Sequence, residues 1–157
     1  MLHIVLVEDN LADAEMLETA LQQTGAPVDI VRLDDGIKAI EYLTQNNVSR
    51  QHDLVLLDLN LPRLSGFEVL ERIRAHEELK SLPVVVMSGS SDPADIERCY
   101  RDGANSYVCK PSHLEEIFFT VAQLVAYWST VVKLPPKRRI ASVSGVRAED
   151  YSGGAAG

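Results

Sequence analysis

Five short apolar runs, at residues 3–7, 28–33, 54–57, 84–87 and 106–109, alternate with five stretches whose apolar residues recur every three or four positions. No other feature limits the possible folds as strongly. Strands separated by helix-length crossovers pair in parallel, and such crossovers are right-handed. The run LVLL at 54–57 has no polar alternation, as expected of a central strand covered on both faces. The chain is therefore expected to be a single doubly wound α/β domain over residues 1–132.

Local signals bound the helices. Asn10 and Asp92 stand where amino-terminal caps belong, Asp34-Asp35-Gly36 and Ser65-Gly66 open the second and third helices, and Gly25 and Gly103 mark helix ends. Ala14, Leu17 and Leu21 should face inward from the first helix. Leu114, Ile117, Phe118, Val121, Leu124, Val125 and Trp128 form the inner stripe of an extended last helix, near residue 112 to near 132. Pro135-Pro136 stops it. Residues 133–157 carry a basic KRR and then Ser, Gly and Ala, a composition that predicts a disordered tail.

The net charge is −8, and it is uneven: residues 1–132 hold 10 basic against 21 acidic side chains, while residues 133–157 hold 5 against 2. An acidic folded part excludes a nucleic-acid surface as the default expectation. The opening apolar run meets acids after five residues, too soon for a signal peptide, and no stretch reaches bilayer length without charge. A cytoplasmic location with no membrane association is expected. Cys99 and Cys109 fit neither a metal spacing nor a disulfide framework and read as buried thiols. His3, His52, His76 and His113 share no ligand spacing and read as structural.

In a parallel sheet every strand ends on the same edge. Glu8-Asp9, Asp58, Ser88 and Lys110 stand at the ends of strands one, three, four and five, where ligands bind in open α/β folds. Three carboxylates gathered there repel unless a cation joins them. Hard oxygen ligands facing water suit Mg²⁺. A carboxylate can also attack phosphorus to form an aspartyl phosphate, with Lys110 offering a point charge and Ser88 a hydroxyl to its oxygens. The set specifies phosphoryl transfer to Asp58.

These residues, in this order and at separations of 49, 30 and 22 positions from Asp9 through Asp58 and Ser88 to Lys110, resemble the receiver domains of two-component response regulators. The resemblance covers about residues 1–132. It implies a flavodoxin-like (βα)5 fold with strand order 2-1-3-4-5. Asp58 would accept a phosphoryl group from a sensor histidine kinase. Asp9, Asp58 and the Asn60 backbone carbonyl would bind Mg²⁺, with Glu8 helping. Lys110 would pair with the phosphate, Ser88 would swing to it, and Tyr107 would turn inward behind. It also implies a cis Lys110–Pro111 bond. A narrower similarity, carried by SGSSDPADIERCYRDGANSYVCKP and YWSTVVKLPP, is to stand-alone regulators that partner bacterial phytochromes.

The implied function is a single-domain switch of the surface made by helix four, strand five and helix five, a signalling protein and not an enzyme. A relay passing phosphate to a histidine phosphotransfer protein is the alternative, and a phosphate-independent dimeric scaffold a weaker one. A haloacid-dehalogenase-like phosphatase would need an acid two residues after the nucleophile, where Asn60 stands. Phe119, Ala122 and Ala126 lie about 80–140° around the last helix from Leu114. With Tyr127, Trp128, Val131 and Val132 they make more apolar surface than a monomer usually exposes. A homodimer through this helix is expected; the alternative is that its end packs on the Pro135-Pro136 segment.

Overall fold

The structure, a computed structural model, describes residues 1–45 and 51–137. Its strands are β1 (Leu2–Val7), β2 (Val28–Leu33), β3 (Leu54–Leu57), β4 (Val84–Ser88) and β5 (Ser106–Cys109). Its helices are α1 (Leu11–Gln23), α2 (Gly36–Leu43), α3 (Gly66–Ala75), α4 (Pro93–Arg101) and α5 (Leu114–Ala126), the last widening into a π turn at Tyr127–Val131. All strands are parallel, in the order β2-β1-β3-β4-β5. The doubly wound, flavodoxin-like expectation holds.

Strand side chains alternate between two cores. Val5, Val7, Val55, Leu57, Val84 and Val86 meet Ala39 and Leu43 of α2, Leu70 and Ile73 of α3, and Cys99 of α4. Ile4, Leu6, Leu54, Leu56, Val85 and Met87 meet Ala14, Leu17 and Leu21 of α1, and Ile117, Val121, Val125 and Trp128 from the α5 end. Adjacent residues of LVLL thus enter opposite cores, which is why that run carries no polar residue.

Caps hold the helix starts where local chemistry placed them. Asn10 accepts from the Asp13 N–H, Asp35 from those of Ile37 and Lys38, and Asp92 from that of Ala94. Ser65 and Glu68 form a reciprocal capping box on α3.

Several expectations need correction. Leu114 is 57% exposed, and the inner stripe is first covered at Ile117, about one turn further along α5. Cys99 is buried, but Cys109 is exposed, at the end of edge strand β5. Among the described residues there is no cis peptide bond, so Lys110–Pro111 is trans, the isomer favoured by about 0.5–1 kcal/mol for X–Pro bonds.

Trp128 is buried against the α1–α5 core, and Val132 and Leu134 pack on it, whereas Phe119, Tyr127 and Val131 stay exposed. The first five tail residues, 133–137, are described and lie against the body. There Lys137 Nζ reaches Asp53 Oδ1 at 3.2 Å and the Gln51 carbonyl at 3.3 Å. The remainder of the expected tail, from Arg138, lies outside the described residues, as do residues 46–50 of the loop before β3. No helix among the described residues is long and apolar enough to cross a membrane.

The entry to α3 is the tightest point. A Cβ on Gly66 would lie 2.1 Å from the Asp58 carbonyl oxygen and 2.6 Å from the Leu59 Cα. Both are backbone atoms that cannot swing aside, and overpacking of this kind costs about 1–3 kcal/mol. Gly66→Ala is therefore expected to lower the free energy of unfolding in urea by an amount in that range, seen as a lower midpoint. An unchanged midpoint would show that the backbone yields here.

Candidate functional site

The carboxyl edge of the sheet brings together every side chain expected there. Glu8 follows β1 and is 1% exposed; Asp58 follows β3 and is 6% exposed; Ser88 ends β4 fully buried. Asp9 faces solvent beside Glu8. Ligand oxygens of Glu8, Asp9 and Asp58 all lie within 4.8 Å of one another. Strand pairing fixes this convergence: the N–H of Glu8 donates to Leu33 and that of Asp58 to Val7, so both acids leave the sheet at the same level.

Lys110, just past β5, reaches back into the cluster. Its Nζ donates to Glu8 Oε2 at 2.5 Å and lies 3.5 Å from both Asp58 Oδ2 and Asp13 Oδ2. Its own N–H bonds to the Ser88 carbonyl at 2.7 Å, which continues the β4–β5 pairing and sets where the side chain departs. Burial pushes the Glu8 carboxyl above its usual range, and the Asp58 charge adds to this, with Lys110 offsetting part. For Lys110, burial acts downward, but Glu8, Asp58 and Asp13 together hold the ammonium above its ordinary value. Lys110 thus stays charged and offsets part of the surplus of acids.

Ser88 and Tyr107 converge on Ser90. The Ser90 N–H donates to Ser88 Oγ at 3.1 Å, while the Tyr107 hydroxyl donates to the Ser90 carbonyl at 2.8 Å. The Tyr107 ring is half-buried against the α2–α3–α4 core. Asn60 follows Asp58 in the β3–α3 loop, its N–H 3.4 Å from Asp58 Oδ1.

Asp13 escaped the sequence reading as a site residue. Its position in the first turn of α1, four residues after Asp9, was the available signal: that turn begins at the same edge of the sheet. Arg63, paired with the α2 cap Asp35, was missed as well.

Comparison with known proteins decides the family. Residues 4–122 match the response regulator receiver domain. The chain belongs to that family. Among its relatives are the probable methanogenesis regulatory protein FilR2 of Methanothrix harundinacea, 39% identical over 80% of this chain and 82% of its own, and the response regulator Rcp1 of Synechocystis, 35% identical over 84% and 92%. Among solved structures, the phosphorylated cyanobacterial phytochrome response regulator RcpA is similar with a TM-score of 0.79 at 38% identity, covering 85% of this chain and 97% of its own. The Mn²⁺-bound form of Rcp1 gives 0.77 at 33%, covering 86% and 99%. Receiver domains bind Mg²⁺ or Mn²⁺ at an acidic site, and their response regulators are signalling switches.

The donor set of this chain fits such an ion. Three carboxylates converge with a single ammonium for compensation, and Asp9 lies open to the water that Mg²⁺ retains. A ligand that binds only the folded state stabilises it by about 2.7 kcal/mol at 100 times its Kd. Thermal unfolding in MgCl₂ is therefore expected at higher temperature than in EDTA at matched ionic strength. Asp9→Asn and Asp58→Asn should each shrink the difference, and an absent shift in the unaltered protein would remove the metal reading.

Proposed function

We propose that this chain is a phosphorylation-dependent switch, working in the cytoplasm, that accepts a phosphoryl group from a sensor histidine kinase onto Asp58. The observation that carries the proposal is the seating of Lys110 Nζ between Glu8 and Asp58 at the edge that also holds Asp9 and Ser88. In the reaction an Asp58 carboxylate oxygen attacks phosphorus, the phosphorus–nitrogen bond of a phosphohistidine breaks, and the freed imidazole nitrogen takes a proton. Glu8, Asp9, Asp58 and the Asn60 carbonyl would hold Mg²⁺. The ion would supply positive charge to the phosphoryl oxygens as they leave the donor.

Lys110 is already 3.5 Å from the acceptor carboxylate and can turn from Glu8 to a phosphate oxygen. Ser88 would give up its bond from Ser90 to donate to another. Ser90 would then lose one of its hydrogen bonds while its hydroxyl stays tied to Asp95 and Asp92 and its carbonyl still accepts from Tyr107. Turning the Ser88 hydroxyl would thus disturb a hydrogen-bonded chain that ends at the tyrosine on β5, which biases the α4–β5–α5 surface between two arrangements. That surface carries the output by binding a partner.

A phytochrome-type kinase is the upstream partner that the likeness to RcpA favours. A homodimer through α5 is part of the same reading. Phe119, Tyr127 and Val131 are 67%, 53% and 67% exposed. Phe119 and Tyr127, with Val108 and Leu124, line a groove beside the open edge of β5.

Incubation with acetyl phosphate and Mg²⁺ should add one phosphoryl group by intact mass. The adduct should be absent in Asp58→Asn and should form more slowly in Lys110→Ala. A folded protein that stays unmodified would sink the switch. Passage of the group to a histidine phosphotransfer protein would recast the chain as a relay. By light scattering, the protein at tens of micromolar should have the mass of a dimer, and Phe119→Asp that of a monomer; a monomeric unaltered protein removes the dimer.

A further inference from the structure

Asp35 uses its two carboxylate oxygens differently. Oδ1 caps α2, accepting the N–H groups of Ile37 at 2.7 Å and Lys38 at 3.0 Å. Oδ2 accepts Nε of Arg63, from the β3–α3 loop 28 positions later. The carboxylate side of this pair is buried while Arg63 is half-exposed. The guanidinium holds the Asp35 carboxyl down to about 2, so the pair stays charged at any ordinary pH.

Arg63 is also the one non-glycine among the described residues with a positive φ, 63°. A side chain disfavours that left-handed conformation, so the surroundings must impose it. A second fastening lies next to it. A Cβ on Gly36 would be 2.1 Å from the Leu64 carbonyl oxygen, so the loop backbone rests directly on the start of α2. Within the loop, the Leu59 carbonyl accepts from Leu61 and Gly66, and the Pro62 carbonyl from Leu64. The Asn60 carbonyl takes part in none of these bonds.

We propose that Arg63, through its ion pair with Asp35, is a positioning residue for the metal site, holding the β3–α3 loop so that the Asn60 carbonyl is presented beside Asp58. The inference rests on the reading of Glu8, Asp9 and Asp58 as metal ligands. It extends that reading to a pair that touches neither the ion nor the phosphate. Partners at this remove from a ligand alter metal affinity by fixing where the ligand points.

The test is the Mg²⁺ dissociation constant measured by calorimetry on the full chain, with the thermal midpoint followed in parallel. Arg63→Gly removes the tether and also relieves the left-handed backbone, so it does not cost stability through strain. Asp35→Asn keeps a helix cap and removes the charge. Each is expected to weaken Mg²⁺ binding about tenfold, the double variant no more than either single one, and Arg63→Lys less than Arg63→Gly. Affinities within twofold of the unaltered protein in both single variants would overturn the positioning role and leave the metal reading standing. Additive weakening in the double variant would overturn it too. If the unaltered protein bound no Mg²⁺, the metal reading would fail and the positioning role with it.

Discussion

One ammonium group stands among four carboxylates at the carboxyl edge of this sheet, and the arrangement of the molecule follows from keeping them together. Glu8 and Asp58 are buried acids a few ångströms apart, a combination that water would separate and that a low-dielectric interior penalises. They are tolerated because Lys110 reaches them from the opposite side of β4, 102 positions after Glu8 in the chain. Here the parallel sheet, with its strand ends level, brings residues that far apart in sequence to a common point. The two cores exist on either side of that sheet to hold its edge in place.

The surroundings of Asp58 are not symmetrical. On the β3–α3 side the backbone is clamped, by Gly66 against the Asp58 carbonyl and by the loop seated on the start of α2. On the β4–β5 side the contacts are hydrogen bonds from the rotatable hydroxyls of Ser88 and Tyr107 to the backbone N–H and carbonyl of Ser90. A charge added at Asp58 meets close-packed backbone in one direction and hydroxyls that can turn in the other.

Much of this was legible in the sequence, for a definable reason. Strand runs and helix starts are set by neighbours within a few residues, so β2, β3 and β5, the caps at Asn10 and Asp92 and the openings of α2 and α3 fell where the local pattern put them. The convergence of Glu8, Asp9, Asp58, Ser88 and Lys110 was legible because parallel topology puts the ends of β1, β3, β4 and β5 on one edge. What escaped depends on the path of a side chain or of the backbone in space. The exposure of Leu114 reflects where along α5 cover begins, and that of Cys109 reflects which strand lies at the edge. The approach of Asp13 to Lys110 and the reach of Arg63 to Asp35 join residues that no periodicity relates. The final helix was half legible: its apolar surplus was real, but Trp128 turned inward while Phe119 and Tyr127 did not.

The clamp at Gly66 has a bearing on how sequences of this shape can drift. A side chain at Gly66 would have nowhere to go, whereas one at Gly89, in the β4–α4 loop, would meet no atom within 4 Å. Two glycines on the same edge of one sheet therefore carry opposite freedoms to vary. The turn after β3 is closed to added bulk at Gly66, while the turn after β4 has room for a side chain at Gly89. Substitutions can accumulate at that second position while the backbone around Asp58 stays as it is.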